Sequence, residues 1–164
     1  MSRKRDPKNK IIDCGCYYKI CLNNKKGKEV GRAKIDKNKL DEIKQYGWCL
    51  SSQGYVIACI NNKTRTLHQV VLGKKKGFVI DHKNTDRLDN RKINLRYATY
   101  SQNQMNKTCK GVYFEKNKKK KWLAHIGLNG IKVWRKSFYK KSDAINARRK
   151  AEKKFFKKFA YNYE

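Results

Sequence analysis

The sequence predicts an α+β protein of short antiparallel strands and few helices, most clearly in its last third. Residues 122–128 alternate apolar and polar side chains, Asn129-Gly130 is typical of a tight hairpin turn, and 131–138 is the returning strand. With a first strand at 111–114, a three-stranded antiparallel sheet is expected. Residues 142–159, capped by Ser142, then predict one C-terminal helix that packs on this sheet. Its apolar stripe consists of Ala144, Ala147, Ala151, Phe155 and Phe159.

The N-terminal part also predicts strands joined by turns. Residues 1–10 are rich in Lys and have no apolar segment behind them, so a basic disordered arm is expected, not a secretory signal. Residues 11–66 form a β-rich part, in which Asp36 is expected to cap a helix over 37–45. The predicted strands cover 17–22, 30–35, 46–50 and 55–60.

Residues 67–108, between these parts, predict a small hairpin-and-helix unit. A short helix over 67–72 precedes an apolar strand at 78–81, and the polar stretch 83–89 turns the chain back. A second helix is expected over 100–107, capped by Thr99 or Ser101. The expected core residues are Phe78, Ile80, Ile93, Leu95, Tyr97 and Met105. The sheet-plus-helix module then occupies 109–164.

The charge of the chain points to a polyanionic partner. Lys and Arg number 43 and Asp and Glu 13, which gives a formal net charge of +30 over 164 residues. A fold holds such charge against mutual repulsion, which a polyanion relieves. Nucleic acid is the leading partner, because phosphate neutralisation releases counterions. An anionic membrane surface is the competitor, but no apolar run is long enough to span a bilayer.

Six cysteines are present, and their spacing does not indicate a structural zinc site. The chain contains no Cys-x-x-Cys, and Cys14-Gly15-Cys16 is a Cys-x-Cys that would place both thiols on one face of a strand. Cys49 and Cys59 occupy positions where apolar strand residues would serve. We therefore expect reduced thiols that pack as small hydrophobic side chains, and zinc is not an expected cofactor.

One stretch combines side chains suited to phosphodiester hydrolysis. Asp81-His82 follows an apolar run, Asn94 begins an Asn-Leu-Arg triplet 12 positions after the histidine, and Asn103 ends Ser-Gln-Asn 21 positions after it. Histidine suits the role of a general base because its pKa lies near working pH. Aspartate offers a hard oxygen ligand for Mg²⁺, and an asparagine carbonyl offers another.

This stretch resembles the nuclease motif of the HNH endonucleases, in particular the phage and intron-type branch. The resemblance implies a ββα-metal core, with His82 as general base and Asn94 as the residue that holds the hairpin for it. Asp81 and Asn103 would bind one divalent metal ion, Mg²⁺ foremost and Mn²⁺ as the alternative. DNA phosphate and water would complete the metal shell. Cleavage would leave 5′-phosphate and 3′-hydroxyl ends.

Two positions near the motif depart from the family pattern, and one histidine matches it. His68 corresponds to a histidine that often precedes the motif, and a contact to DNA phosphate, or support for one, is expected of it. Gln69 stands where the family often has Arg. The turn at 83–86 lacks the usual Gly, which leaves its geometry open, and Asn90 fits the turn Asn of the motif as a structural residue.

The C-terminal module is similar to the plant ethylene-response-factor (Apetala-type) DNA-binding domain over nearly all of 110–156. The sheet face away from the helix would then meet the major groove of DNA. The expected contacts are Lys119, Lys121, His125, Lys132 and Trp134. Tyr113, Glu115 and Gly127 lie near positions where that family carries DNA-reading arginines, so its target sequence does not carry over.

Together these features predict a metal-dependent DNA endonuclease with double-stranded DNA as partner. No membrane and no protein partner are expected. The chain would act in the cytoplasm of a bacterial or host cell as a monomer or weak dimer, and a phage or virus is an expected source. A monomer with one active site would nick one strand at a time. A non-catalytic DNA-binding regulator is the alternative. A third hypothesis, an RNA-binding protein, rests on the net positive charge of the chain alone.

Overall fold

The computed structural model describes residues 9–106 and 111–161, and the chain divides into two compact units, 1–97 and 98–164. Both are mixed α/β units with small antiparallel sheets and few helices, which confirms the α+β class. Most of the predicted basic arm, the end of the helix expected at 100–107, and Cys109 lie outside the described residues. The four predicted domain segments stay a prediction.

The first unit begins with a sheet in the order β1-β2-β3, formed by β1 (Ile11–Asp13), β2 (Tyr17–Asn23) and β3 (Glu29–Asp36). A 3-10 turn over 37–39 and the four-residue helix α1 (Leu40–Ile43) follow, so the helix expected at 37–45 is found as helical structure over 37–43, of which only 40–43 is α-helix. Asp36 occupies the predicted cap position, but its side chain makes no cap bond. Its carboxylate accepts instead from the backbone N–H of Lys92 at 2.6 Å.

A second sheet in the first unit contains β4 (Cys49–Leu50), β5 (Val56–Ile60) and β6 (Lys63–Thr66), in that order. The helix α2 (Leu67–Leu72) leaves β6 directly and has the predicted bounds. The buried core of the unit draws on both sheets and on α2, and Ile20, Leu22, Ile35, Val56 and Leu67 are among its most buried members.

The strands β7 (Val79–His82) and β8 (Leu95–Ala98) form a two-stranded sheet, with the polar stretch between them. Leu95 is buried in the first unit's core and Ile80 packs against it, but Phe78 and Ile93 are 41% and 75% exposed. The core predicted here is therefore wrong for these two residues. Ile93 lies in the loop before β8, where its carbonyl accepts from the side chain of Lys83.

The second unit opens with α3 (Tyr100–Met105). Of the two predicted caps the chain uses Thr99, whose hydroxyl accepts from the N–H of Gln102, while the Gln102 side chain accepts from the N–H of Thr99. This reciprocal capping box fixes the start of the helix. Met105 packs against a cluster of Ile126, Ala151 and Phe156 in the second unit.

The predicted C-terminal module is observed as a sheet in the order β11-β10-β9, with β9 (Val112–Phe114), β10 (Trp122–Leu128) and β11 (Ile131–Phe138). Asn129 and Gly130 adopt positive φ angles of 49° and 82° in the hairpin turn. The helix α4 (Lys141–Phe156) contacts β10, and a 3-10 turn over 157–159 ends it.

The predicted helix pattern holds only in part. The cap residue of α4 is Lys140 and makes no side-chain cap bond, so Ser142 is not the cap. Ala144 and Ala151 are buried as expected, but the buried face also includes Arg148 and Glu152, whose Nε and Oε1 atoms lie 2.9 Å apart. A charged pair therefore fills part of the apolar stripe. None of the helices in the described part of the chain is long and apolar enough to cross a membrane.

Candidate active site

Asp81 and His82 lie together at the end of β7, and each is 5% exposed. The Asp81 carboxylate faces Arg96 on the neighbouring strand: its Oδ2 lies 2.8 Å from the guanidinium Nε and 2.7 Å from an Nη atom. Both residues are largely buried, so the contact is a charge-assisted pair of the stronger kind. Arg96 thus fixes the direction of the carboxylate that the sequence predicts as a metal ligand.

The imidazole of His82 is oriented by Asn90. The Nε2 atom of His82 lies 3.3 Å from Oδ1 of Asn90, and the Nδ2 of Asn90 donates to the carbonyl of Arg87 at 3.1 Å. That second bond fixes which way the amide of Asn90 points. Because an amide oxygen only accepts, we infer that the imidazole proton lies on Nε2 in this contact, which assigns the lone pair of the neutral ring to Nδ1.

Burial lowers the pKa of His82, although the hydrogen bond that the ring donates to Asn90 and the charge of Asp81 act in the opposite direction. The neutral imidazole is therefore the favoured form at neutral pH. A neutral, oriented histidine next to a carboxylate is a chemically competent base.

Asn94 bridges the two ends of the loop between β7 and β8. Its Nδ2 donates to the carbonyl of Asp89 at 2.8 Å, and its Oδ1 accepts from the N–H of Asn84 at 3.1 Å. The backbone carbonyl of Asn94 also accepts from the N–H of Lys83 at 2.8 Å. These bonds give Asn94 the contacts of a residue that holds the hairpin.

The turn at 83–86 contains no glycine, and Thr85 adopts the positive φ angle there, at 63°. Asn84 accepts from the N–H of Asp86 at 2.9 Å, and Asp86 accepts from the N–H of Leu88 at 2.9 Å. Two successive side-chain-to-backbone bonds thus replace the usual glycine turn. A β-branched residue is strained in the left-handed region, so this loop stores some conformational strain.

Asp89 anchors the loop to β3. Its side chain is buried, and Oδ2 lies 2.6 Å from an Nη atom of Arg91 and 4.0 Å from Nζ of Lys34. Burial alone would raise the pKa of Asp89, but the hydrogen bonds and charge of Arg91 hold that pKa below its usual value. Backbone bonds join Lys34 to Leu88 and Asn90 at 2.7 and 2.9 Å. The N-terminal sheet therefore supports the loop that carries Asn90.

His68, predicted as a DNA contact, lies inside the first unit and is only 8% exposed. Its ring centroid is 5.2 Å from that of His82, at an interplanar angle of 89°. Tyr55 flanks both rings, with centroids 5.4 Å from His68 and 6.4 Å from His82. Burial, together with the charge of His82, lowers the pKa of His68 to about 4.

Asn103, the second predicted metal ligand, lies on α3 in the second unit. Its backbone N–H donates to the carbonyl of Thr99 at 2.9 Å, and the residue is half-buried. Its role as a ligand stays a prediction from the sequence.

The sheet of the second unit separates the predicted DNA contacts onto two faces. Ala124 and Ile126 on β10 are fully buried towards α4, so Lys121 and His125 lie on the open face. Lys132 pairs with Gly127 and shares this face, while Lys119 is exposed in the loop before β10. Trp134 pairs with Ile126 and packs against the cluster on the helix side.

Two further residues on the open face lie next to His125. Tyr113 stacks on His125 with centroids 5.3 Å apart and an interplanar angle of 12°. Arg135 pairs with His125 and is more than half exposed. Burial, followed by the positive charges of Arg148, Lys132 and Arg135, lowers the pKa of His125. This face therefore offers an aromatic stack surrounded by cations.

The residues present suit a metal ion held by few protein ligands. Asp81 supplies carboxylate oxygens, the donor type that Mg²⁺ and Mn²⁺ prefer. Within residues 9–106 and 111–161, no group of three or more His, Cys, Asp and Glu side chains is arranged to hold an ion. An ion bound here would need oxygen donors from amides, phosphate or water.

Sequence reasoning missed several of these residues. Arg96 belongs to the Asn-Leu-Arg triplet, but the motif alone assigns it no partner. Tyr55, in the turn before β5, and Lys34, on β3, contact the site from distant parts of the chain, and no sequence spacing marks them. Asn90 was recognised as a motif position, but its bond to His82 depends on the shape of the loop.

Comparison with known proteins agrees with the chemistry of this site. Residues 67–105 match the HNH endonuclease family. No curated protein and no solved structure matches the chain. The family match supports a nuclease, with DNA as the partner and the divalent metal that such nucleases generally use. The likeness of the C-terminal module to the Apetala-type domain stays a prediction.

Proposed function

We propose that the protein is a metal-dependent DNA endonuclease of the HNH type, with His82 as the general base. The observation that carries the proposal is the bond between His82 Nε2 and Asn90 Oδ1, within a segment that matches a nuclease family. A histidine held with its proton on the atom that faces Asn90 presents Nδ1 as the base. The family match of residues 67–105 adds the chemical context in which a histidine held in this way would act as a base.

The chain's own residues would activate water and orient the reacting groups. His82 Nδ1 takes the proton from the attacking water, and burial keeps the ring neutral until that moment. Asn90 accepts a hydrogen bond from the imidazolium that results, which limits its energetic cost. Asn94 and Asp89 hold the loop so that the distance to Asn90 is maintained.

Asp81 and Asn103 are the proposed metal-binding residues, with Mg²⁺ as the first expectation and Mn²⁺ as the alternative. The bound ion supplies charge stabilisation for the phosphate and for the leaving oxygen. Arg96 keeps the Asp81 carboxylate in one orientation and balances its charge in a largely buried environment.

The second unit is proposed to hold duplex DNA with the open face of its sheet. Lys121, Lys132 and the added Arg135 supply positive charge, and His125 offers hydrogen bonds to DNA. Trp134 is left out of this surface because it packs on the helix side. The family resemblance suggests a homing-type or phage-encoded enzyme that acts in a cell, and a monomer would nick its substrate.

The second candidate is a DNA-binding regulator that does not cut. The observation that favours it is the open face of the second unit, which needs no nuclease chemistry. The two functions differ in the fate of the DNA, since only a nuclease breaks a phosphodiester bond.

The experiment incubates the native chain with supercoiled plasmid and Mg²⁺ or Mn²⁺, and in parallel with EDTA. Nicking or linearisation that requires the metal is the expected result. Binding without cleavage on a broad A·T-rich DNA library would favour the regulator. Competition by single-stranded RNA, if it exceeds that of duplex DNA, would favour the RNA-binding reading.

A further inference from the structure

We propose that His68 is a positioning residue that holds the imidazole of His82, and that it does not contact DNA phosphate. The proposal rests on His82 being the general base of the proposed nuclease. It replaces the role that the sequence alone suggests for His68.

The first support is the packing of the two rings. His68 is 8% exposed, and its ring meets that of His82 nearly at right angles, with centroids 5.2 Å apart. An edge-to-face contact of this kind fixes ring orientation as well as distance. Asn90 holds one edge of the His82 ring by a hydrogen bond, and His68 restricts the ring by packing.

The second support is that His68 is itself held in place. Its Nε2 lies 3.0 Å from Oγ1 of Thr66. Thr66 is the cap residue of α2, a position where the hydroxyl ordinarily bonds to the helix backbone, yet its side chain makes no cap bond. The hydroxyl is thus used for His68 instead of the helix.

Tyr55 closes the cluster on a further side. Its ring contacts both histidines, and the guanidinium of Arg87 lies 4.5 Å from the Tyr55 ring centroid. The side chain of Arg87 also donates to the backbone carbonyl of Gln53, which ties this layer to the turn between β4 and β5. The result is a three-ring cluster formed by Tyr55 from the turn before β5, His68 from α2 and His82 from β7.

The third support is that His68 is poorly suited to phosphate. A phosphate contact needs an accessible donor, and a charged one contributes most. His68 is buried, its Nε2 is engaged with Thr66, and its low pKa keeps it neutral at neutral pH.

The test measures cleavage at saturating DNA, together with DNA affinity at several salt concentrations. His68→Ala is expected to lower kcat by about 10- to 100-fold, the usual range for residues that orient a reacting group. DNA affinity and its dependence on salt should stay unchanged. His68→Phe, which keeps a ring of similar shape, is expected to recover part of the lost rate.

Thr66→Val provides a milder change, since it removes only the hydroxyl that holds His68, and a smaller fall in kcat is expected. The matched control is Thr64→Val, two residues earlier on β6, where the side chain is exposed; its rate should equal that of the native protein. If His68→Ala does not fold, the comparison of Thr66→Val with Thr64→Val tests the proposal instead.

Two results would overturn the proposal. One is weaker DNA binding by His68→Phe at unchanged kcat, with the slope of log affinity against log salt reduced by about one, because that is the signature of a lost phosphate contact. The other is a native rate for His68→Phe, His68→Ala and Thr66→Val alike. A native protein that does not cleave, or a His82→Ala variant that cleaves normally, would instead contradict the proposed function.

Discussion

Asn90 and His82 form the central pair of the site: Oδ1 of Asn90 lies 3.3 Å from Nε2 of His82, eight residues away along the chain. The bond of the Asn90 amide to Arg87 makes this a directed contact, because it leaves only the carbonyl oxygen to face the ring. The loop between β7 and β8 therefore supplies an acceptor that favours the tautomer with the proton on Nε2.

Asn90→Ala should lower kcat by about 10- to 100-fold, since the histidine loses the partner that selects its tautomer. DNA affinity should be unchanged because Asn90 is buried. Single-turnover cleavage at saturating DNA measures the effect, and thermal unfolding controls for folding. A rate equal to that of the native protein would show that the tautomer is set elsewhere.

The rate of cleavage should stay near its plateau as pH falls through 6.5, the usual pKa of histidine. Burial disfavours the charged ring and lowers the pKa of His82, so the neutral base persists to lower pH. Measurement of kcat between about pH 4 and 8 at saturating metal would locate the acidic limb. If kcat already falls at a pH above 6.5, the neighbouring carboxylates raise the pKa of His82 by more than burial lowers it.

The free energy of unfolding should fall between pH 7 and pH 5 because of His68. The pKa of His68 is near 6.5 in the unfolded chain and about 4 in the folded chain. The contribution of neutral His68 to the free energy of unfolding is therefore fully present above pH 6.5 and is lost as pH falls towards 4. The loss at pH 5 should be about 2 kcal/mol from this group. Urea unfolding at both pH values measures it, and His68→Phe should remove this part of the dependence. An unchanged pH dependence in that variant would contradict the assignment.

Thr85→Gly should stabilise the protein by about 0.5–1 kcal/mol, because glycine tolerates the φ of 63° that strains a β-branched residue. The control is Thr64→Gly in β6, where extended backbone gives glycine no advantage and destabilisation is expected. Urea unfolding of both variants measures the difference. Destabilisation by Thr85→Gly would show that the threonine side chain makes a contribution larger than its strain.

Local patterns in the sequence predict much of the fold. The apolar spacing at 67–72 marks α2, and the alternation around Asn129-Gly130 marks β10 and β11, because each pattern depends on neighbours along the chain. The helix predicted at 37–45 is observed as helical structure over 37–43, but its predicted cap bond is absent for a non-local reason. The carboxylate of Asp36 bonds to Lys92, 56 residues away, and so does not cap the helix.

The candidate site is likewise predicted only in part from the sequence. Asp81, His82 and Asn94 are recognisable from spacing, but their partners are not. Arg96 on β8 and Tyr55 in the turn before β5 contact the site only because the fold brings these distant segments together. The burial of His68 likewise depends on the packing of α2 inside the first unit, which no local pattern encodes.

The most direct test of the central claim compares the native chain with His82→Ala on supercoiled plasmid with Mg²⁺. DNA affinity is measured in parallel, and Thr64→Val serves as the control variant. The nuclease with His82 as its base predicts metal-dependent cleavage by the native chain and by Thr64→Val, and loss of cleavage with retained DNA affinity in His82→Ala. Equal cleavage by His82→Ala and the native chain would contradict the role of His82, and absence of cleavage by the native chain would contradict the nuclease itself.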